Sequence, residues 1–197
     1  MKIFAKKIGT THYYTESNKH QVVTVLQLEK TVVGKLKSEE KDGYSAHVLI
    51  KDSEKAKPKK SVAGQFKGMN PSKIVEERVE EITKKVGEEY SVNDLAEGDI
   101  VSIVGKSKGK GFQGTVRRHN FNTGPKTHGS RNYRRPGSIG MTTPSRVPKG
   151  KHMAGHTGSD QITMKKVRIE RIDEKNNAIW VNGHVIGPNK ASLVIVK

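Results

Sequence analysis

Cysteine is absent from all 197 residues. That excludes disulfides, thiolate metal sites and cysteine nucleophiles together, and fits a reducing compartment. No apolar run approaches the roughly 20 residues that span a bilayer. Met1-Lys-Ile-Phe-Ala5 enters strand-like sequence directly, without the apolar stretch of a signal peptide. These absences predict a cytoplasmic protein with no membrane partner. Hydrophobic residues make up 32% and aromatics 5% of the chain, so the core is small for the length. The sharpest absence is local: from Ile100 to Ser159 there is no aspartate and no glutamate.

What fills that stretch is positive charge. Lys106, Lys108, Lys110, Arg117, Arg118, Lys126, Arg131, Arg134, Arg135, Arg146, Lys149 and Lys151 supply twelve of the chain's 37 basic residues and +12 of its formal +17. Protein surfaces intersperse both signs, because uncompensated like charges repel. A segment that collects cations without counterions draws its anions from a partner, and the densest common polyanion is a nucleic-acid backbone. Arginine brings a planar fork for phosphate and a face that stacks on bases. No helix-turn-helix, zinc-finger or RNP pattern is present, and a Gly/Pro-rich basic strand suits folded RNA, read through backbone and shape, better than DNA sequence.

The segments flanking this stretch read as β-structure. Thr10–Thr15 and Gln21–Leu28 are predicted strands around the polar turn Glu16-Ser-Asn-Lys19. Val32–Leu36 and Ala46–Ile50 form a second pair, with Lys41-Asp-Gly43 as a turn that tolerates positive φ. Lys51–Lys60 is a charged, proline-containing connection expected to be mobile. Across 72–86 the spacing of Val75, Val79, Ile82 and Val86 favours a helix, while Ile74–Val79 can equally be a strand. Tyr90–Val92 and Ile100–Val104 are further predicted strands, the latter after a Glu97-Gly-Asp99 turn. Val167–Ile172 and Ala178–Val181 flank a turn at Asp173–Asn177, and Leu193–Val196 is the last strand. Many short strands with polar turns imply a barrel or sandwich.

Between Gly105 and Gly158 recurrent glycine and proline erase both periodicities. Phe112, Phe121, Tyr133, Ile139, Met141, Val147 and Met153 are spaced along it as candidate anchors. Gly109-Lys-Gly-Phe-Gln-Gly114 spells a dinucleotide fingerprint, but no carboxylate follows until Asp160 and breakers replace the required helix. His119, His128, His152 and His156 lack neighbouring carboxylates or thiols, which favours hydrogen-bonding roles on a nucleic-acid surface over a metal or acid–base site.

The run Ser107-Lys-Gly-Lys-Gly-Phe-Gln-Gly114-Thr-Val-Arg-Arg-His-Asn-Phe121 is followed by Thr127-His-Gly-Ser130, Arg135-Pro-Gly-Ser-Ile-Gly140 and Lys149-Gly-Lys-His-Met-Ala-Gly155. Together these motifs resemble the signature of the bacterial-type large-subunit ribosomal protein L-three family. Lys6-Lys-Ile-Gly9 with Tyr14-Thr-Glu16, then Gly64-Gln-Phe66, Val86-Gly87 and Glu97-Gly-Asp99, extend the likeness over essentially the whole chain. The resemblance implies a mainly β (α+β) fold: a split, Greek-key-like β-barrel of the translation-protein type, with a small α+β insertion and a long basic loop. It also favours a strand over Ile74–Val79. Only Met141-Thr-Thr143 lies between Gly140 and Pro144, one residue short of the common bacterial loop, and it lacks the glutamine that some members methylate.

The expected organisation is a discontinuous barrel over 1–105 and 159–197, with an insertion at about 51–90 and a basic loop over 106–158. The expected role is a structural constituent of the large ribosomal subunit, supporting early assembly, with the loop reaching toward the peptidyl-transferase region. Its partners would be large-subunit ribosomal RNA and neighbouring ribosomal proteins, with no cofactor, metal or small-molecule substrate. RNA contacts are expected from Lys106, Lys108, Lys110, Arg117, Arg118, His119, Lys126, His128, Arg131, Arg134, Arg135, Arg146, Lys149, Lys151, His152 and His156. Free in solution the loop is expected to be largely disordered, ordering on RNA. Two alternatives stand beside this: a transient RNA-remodelling or translation-factor-like barrel, and a histidine-based enzyme.

Overall fold

The structure, a computed structural model, describes residues 1–15, 18–54, 56–66 and 68–197. It divides into two compact units, Met1–Lys106 with Gln161–Lys197, and Ser107–Asp160. Glu16 and Ser17 of the expected first turn, and Lys55 of the expected mobile connection, lie outside the described residues.

The first unit is built on strands β1 (Lys2–Tyr14), β2 (His20–Leu28), β3 (Thr31–Lys37), β4 (Ala46–Asp52), β5 (Pro71–Arg78), β6 (Glu89–Tyr90), β7 (Ile100–Lys106), β10 (Gln161–Asp173), β11 (Ala178–Asn182) and β12 (Ser192–Val196). Six of them close into a barrel in the order β1-β12-β7-β10-β11-β2. All six pairings are antiparallel. Alternation explains the interior: along β7, Val101, Ile103 and Gly105 are buried between less buried neighbours. Leu26, Ile169, Ile179, Val181, Leu193 and Ile195 fill the same core.

A second sheet runs β5-β4-β3-β6. Its two central strands are apolar on both faces. Val33 and Leu49 join the barrel core, whereas Val32, Val48 and Ile50 pack with Phe66. This two-sided burial produces the near-continuous apolar runs seen in the sequence. The β3–β4 connection is a single helical turn, α1 (Glu39–Asp42), ended by Gly43 at φ 77°. A second short helix, α2 (Lys60–Ala63), precedes Phe66. The second sheet draws its strands from Thr31 to Tyr90, a wider span than the insertion expected at about 51–90.

The helical periodicity over 72–86 misleads. Pro71–Arg78 is strand β5, paired along its length with β4 from Ala46↔Arg78 to Asp52↔Pro71. Val75 packs on the core, but Ile82 and Val86 of the supposed stripe are exposed. Tertiary pairing therefore overrides local propensity. Tyr90–Val92 is also only partly a strand, because β6 stops at Tyr90 and Val92–Asp94 forms a 3-10 turn closed by Asp94 onto the Ser91 backbone N–H.

Lys7 and Glu77 are charged side chains buried in the first unit, which the apolar pattern of the sequence does not signal. Lys7 is almost wholly buried, and its ammonium donates to the carbonyls of Val185 at 2.5 Å and Gly187 at 3.2 Å. Glu77 is buried and takes the Tyr90 hydroxyl at 3.2 Å and the Met1 amine at 2.6 Å. Each thereby recovers part of the solvation lost on burial.

Candidate nucleic-acid interface

The second unit contains three short elements: β8 (Gly111–Gln113), α3 (Thr115–His119) and β9 (Gly155–Thr157). None of them is signalled by local periodicity in the sequence. The glycines that erase periodicity instead permit close approach. β8 and β9 form an antiparallel ribbon with Gly111↔Thr157, Phe112↔His156 and Gln113↔Gly155 opposite one another. At its base Ser107 N–H donates to Asp160 O at 2.9 Å and Lys110 N–H to Thr157 O at 2.9 Å. Gly158, at φ +81°, lies against the backbone of Lys108, Gly109 and Lys110, where a Cβ would come within 2.9 Å of Gly109 Cα.

The helix is tied to the strand entering β9. Arg118 Nη1 donates to Met153 O at 2.8 Å, across a site where Gly155 leaves room for the guanidinium. His119 Nε2 lies 3.1 Å from the same carbonyl. Because a carbonyl only accepts, Nε2 carries the proton. The His119 and His152 rings are stacked, 4.3 Å between centroids. Further along, Gly124 N–H donates to Tyr133 O at 3.1 Å, and Lys126 and Arg134 lie over the Tyr133 ring at 5.4 and 6.0 Å.

Lys106 closes β7 on the first unit and is exposed. Lys108, Lys110, Arg117, Arg118, Lys126, His128, Arg131, Arg134, Arg135, Arg146, Lys149, Lys151, His152 and His156 are all exposed, and His119 is half-buried. Among the described residues none of these groups enters an ion pair, whereas the first unit pairs Lys30, Lys37, Lys51, Lys84 and Lys197 with carboxylates. Thus one unit holds some of its lysines in ion pairs and the other leaves its cations outside them.

The expected apolar anchors divide. Phe121, Tyr133 and Met153 are half-buried, whereas Phe112, Ile139, Met141 and Val147 are exposed. The fingerprint-like glycines also find their explanation. Gly111–Gln113 is ribbon strand and Gly114 precedes a helix of five residues, which leaves no phosphate-binding turn of the dinucleotide kind. Among the described residues no group of three or more metal-ligating side chains converges. The structure pairs His152 with His119, and His156 with Phe112 across the ribbon.

The pattern of the family described as Ribosomal protein L3 matches residues 2–186. The chain is 39% identical to the large ribosomal subunit protein uL3 of Shouchella clausii (strain KSM-K16), over 98% of this chain and 95% of that protein. It is 40% identical, over the same shares, to the large ribosomal subunit protein uL3 of Natranaerobius thermophilus. Ordered motifs along the chain, a mainly β structure and near-complete coverage thus converge: this chain belongs to the ribosomal protein L3 family.

Proposed function

We propose that the chain is a non-catalytic, structural constituent of the large ribosomal subunit in the cytoplasm. Its first unit serves as a split, Greek-key-like barrel of the translation-protein type docked on ribosomal RNA. Residues 106–158 act as a basic element threaded between RNA helices toward the peptidyl-transferase region. Neighbouring large-subunit proteins complete its surroundings. The observation that carries this reading is the second unit's run of exposed cations from Lys108 to Lys151, without one carboxylate in the sequence and without an ion pair among the described residues. RNA phosphates supply the missing counterions.

Lys106, Lys108, Lys110, Arg117, Arg118, Lys126, Arg131, Arg134, Arg135, Arg146, Lys149 and Lys151 are assigned to phosphate contact. His119, His128, His152 and His156 are assigned to hydrogen bonding at the same surface. A groove on the first unit, about 280 Å³ and rimmed by Lys2, Lys73 and Lys106, supports a docking role for the barrel. Family membership disfavours a transient remodelling factor. The test is sedimentation: the protein should remain on large subunits through a high-salt wash, and quantitative release would support the transient alternative.

A further inference from the structure

Phe112 is 75% exposed, although phenylalanine usually belongs to a core. A single exposed ring needs no special explanation. This one, however, sits in the centre of a built element. It occupies the middle position of β8, directly opposite His156 on β9, and directly opposed residues project from the same face of a ribbon. Gln113, Gly155 and Thr157 alternate with them and are half-buried, so the ribbon has one packed face and one open face. The open face carries an aromatic ring and an imidazole.

The ribbon is held from both sides. Gly158 closes the ribbon against the Lys108–Lys110 backbone, and Arg118 and His119 hold Met153 O just before β9. No other ring in the described residues stacks on Phe112, whereas His119 has both His152 and Phe121 within ring-contact distance. The surroundings are cationic: Lys108 and Lys110 lead into β8, and no carboxylate occurs between Ile100 and Ser159. An apolar protein partner would face uncompensated charge here, whereas an RNA strand brings phosphates for the lysines and a π-face for the ring.

We infer that Phe112, with His156 opposite it, is a stacking platform for one unpaired base of an RNA strand whose phosphates lie on Lys108 and Lys110. The inference rests on the RNA-binding reading above and adds base contact to a surface otherwise argued from phosphate alone. It concerns unpaired bases specifically, because a duplex keeps its bases stacked on one another.

The test uses the full chain and two probes, a 12-nucleotide single-stranded oligoadenylate and a 12-base-pair RNA duplex. Affinities are measured at several salt concentrations. Phe112→Ala should weaken oligoadenylate binding by about 5- to 150-fold, the range of base–aromatic stacking, and change duplex binding less than about twofold. The salt slope should not change, since no charge is removed. Phe112→Leu keeps the apolar bulk and should remain weak. Phe112→Trp should restore affinity, with indole fluorescence quenched by oligoadenylate beyond any change in the wild type, which has its own Trp180. Wild-type affinity in Phe112→Ala or Phe112→Leu, or equal losses for both probes, would overturn the platform. If instead the Arg131, Arg134 and Arg146 triple alanine variant bound both probes with wild-type affinity and salt slope, the RNA-binding reading itself would fail.

Discussion

The imidazole rings of His119 and His152 lie stacked, with centroids 4.3 Å apart and planes within 3° of parallel. One ring is on α3 and the other precedes β9, so the stack joins segments more than thirty positions apart in the chain. Met153 O, accepting from Arg118 and His119, completes the clasp. An aromatic pair contributes about 0.5–1.5 kcal/mol beyond area burial. His152→Ala should therefore speed amide exchange across 153–157 by roughly twofold to tenfold. Hydrogen-exchange mass spectrometry reads this, and unchanged exchange would mean that the stack holds nothing.

Gly158 is the tightest point of the ribbon. Its φ of +81° and the adjacent Lys108–Lys110 backbone leave no space for a side chain. Gly158→Ala should disrupt the β8–β9 pairing, because backbone atoms cannot move aside as a flexible side chain can. The expected readout is loss of exchange protection at Lys110 N–H, which donates to Thr157 O at 2.9 Å. Gly114→Ala, where a Cβ meets nothing within 4 Å, serves as the tolerated control.

Arg131, Arg134 and Arg146 are exposed, and among the described residues none of them enters an ion pair. Each alanine substitution should lower RNA affinity uniformly across sequences and reduce the slope of log K against log salt by about 1. If eight to ten phosphates are neutralised, the wild-type slope on duplex-like RNA should be of order −7 to −9. A salt-independent affinity would remove the electrostatic basis of the account.

Acid should destabilise the first unit. The Glu76 carboxyl is held below its ordinary value first by a hydrogen bond from Lys37 and then by one from the Tyr44 hydroxyl. Asp99 is lowered by Lys197 and by the Ala96 backbone N–H. For both, the unfolded chain binds more protons than the folded one between the two pKa values, so stability falls as pH falls. The contribution is complete above the ordinary values of 4.5 for Glu76 and 3.8 for Asp99 and disappears as pH drops through the lowered ones. Melting temperature should decline below about pH 4.5 less steeply in Glu76→Gln, and salt should shrink the difference between variants because these carboxyls face solvent.

The strands were legible in the sequence where alternation or two-sided burial controls them: β2, β3, β4, β7, β11 and β12 follow their apolar residues closely. β5 was not legible from periodicity, because Val75, Val79, Ile82 and Val86 happen to fall at helical spacing; the family resemblance, which favoured a strand over Ile74–Val79, gave the observed element. The charge of the second unit could be read directly from the missing carboxylates. Its internal structure could not, since the ribbon and the His119–His152 stack depend on contacts between residues 33 to 46 positions apart, joined across glycines that mask periodicity. Lys7 escaped for a similar reason, as its partners Val185 and Gly187 lie at the far end of the chain.

The central claim is that the cations of residues 106–158 are neutralised by large-subunit RNA. Protein–RNA crosslinking in purified large subunits, mapped by mass spectrometry, tests it most directly. Crosslinks should concentrate at Arg131, Arg134, Arg146 and their neighbours, and this segment should resist protease in the particle. Crosslinks confined to the first unit, with 106–158 cleaved as readily in the subunit as in the free protein, would contradict the account.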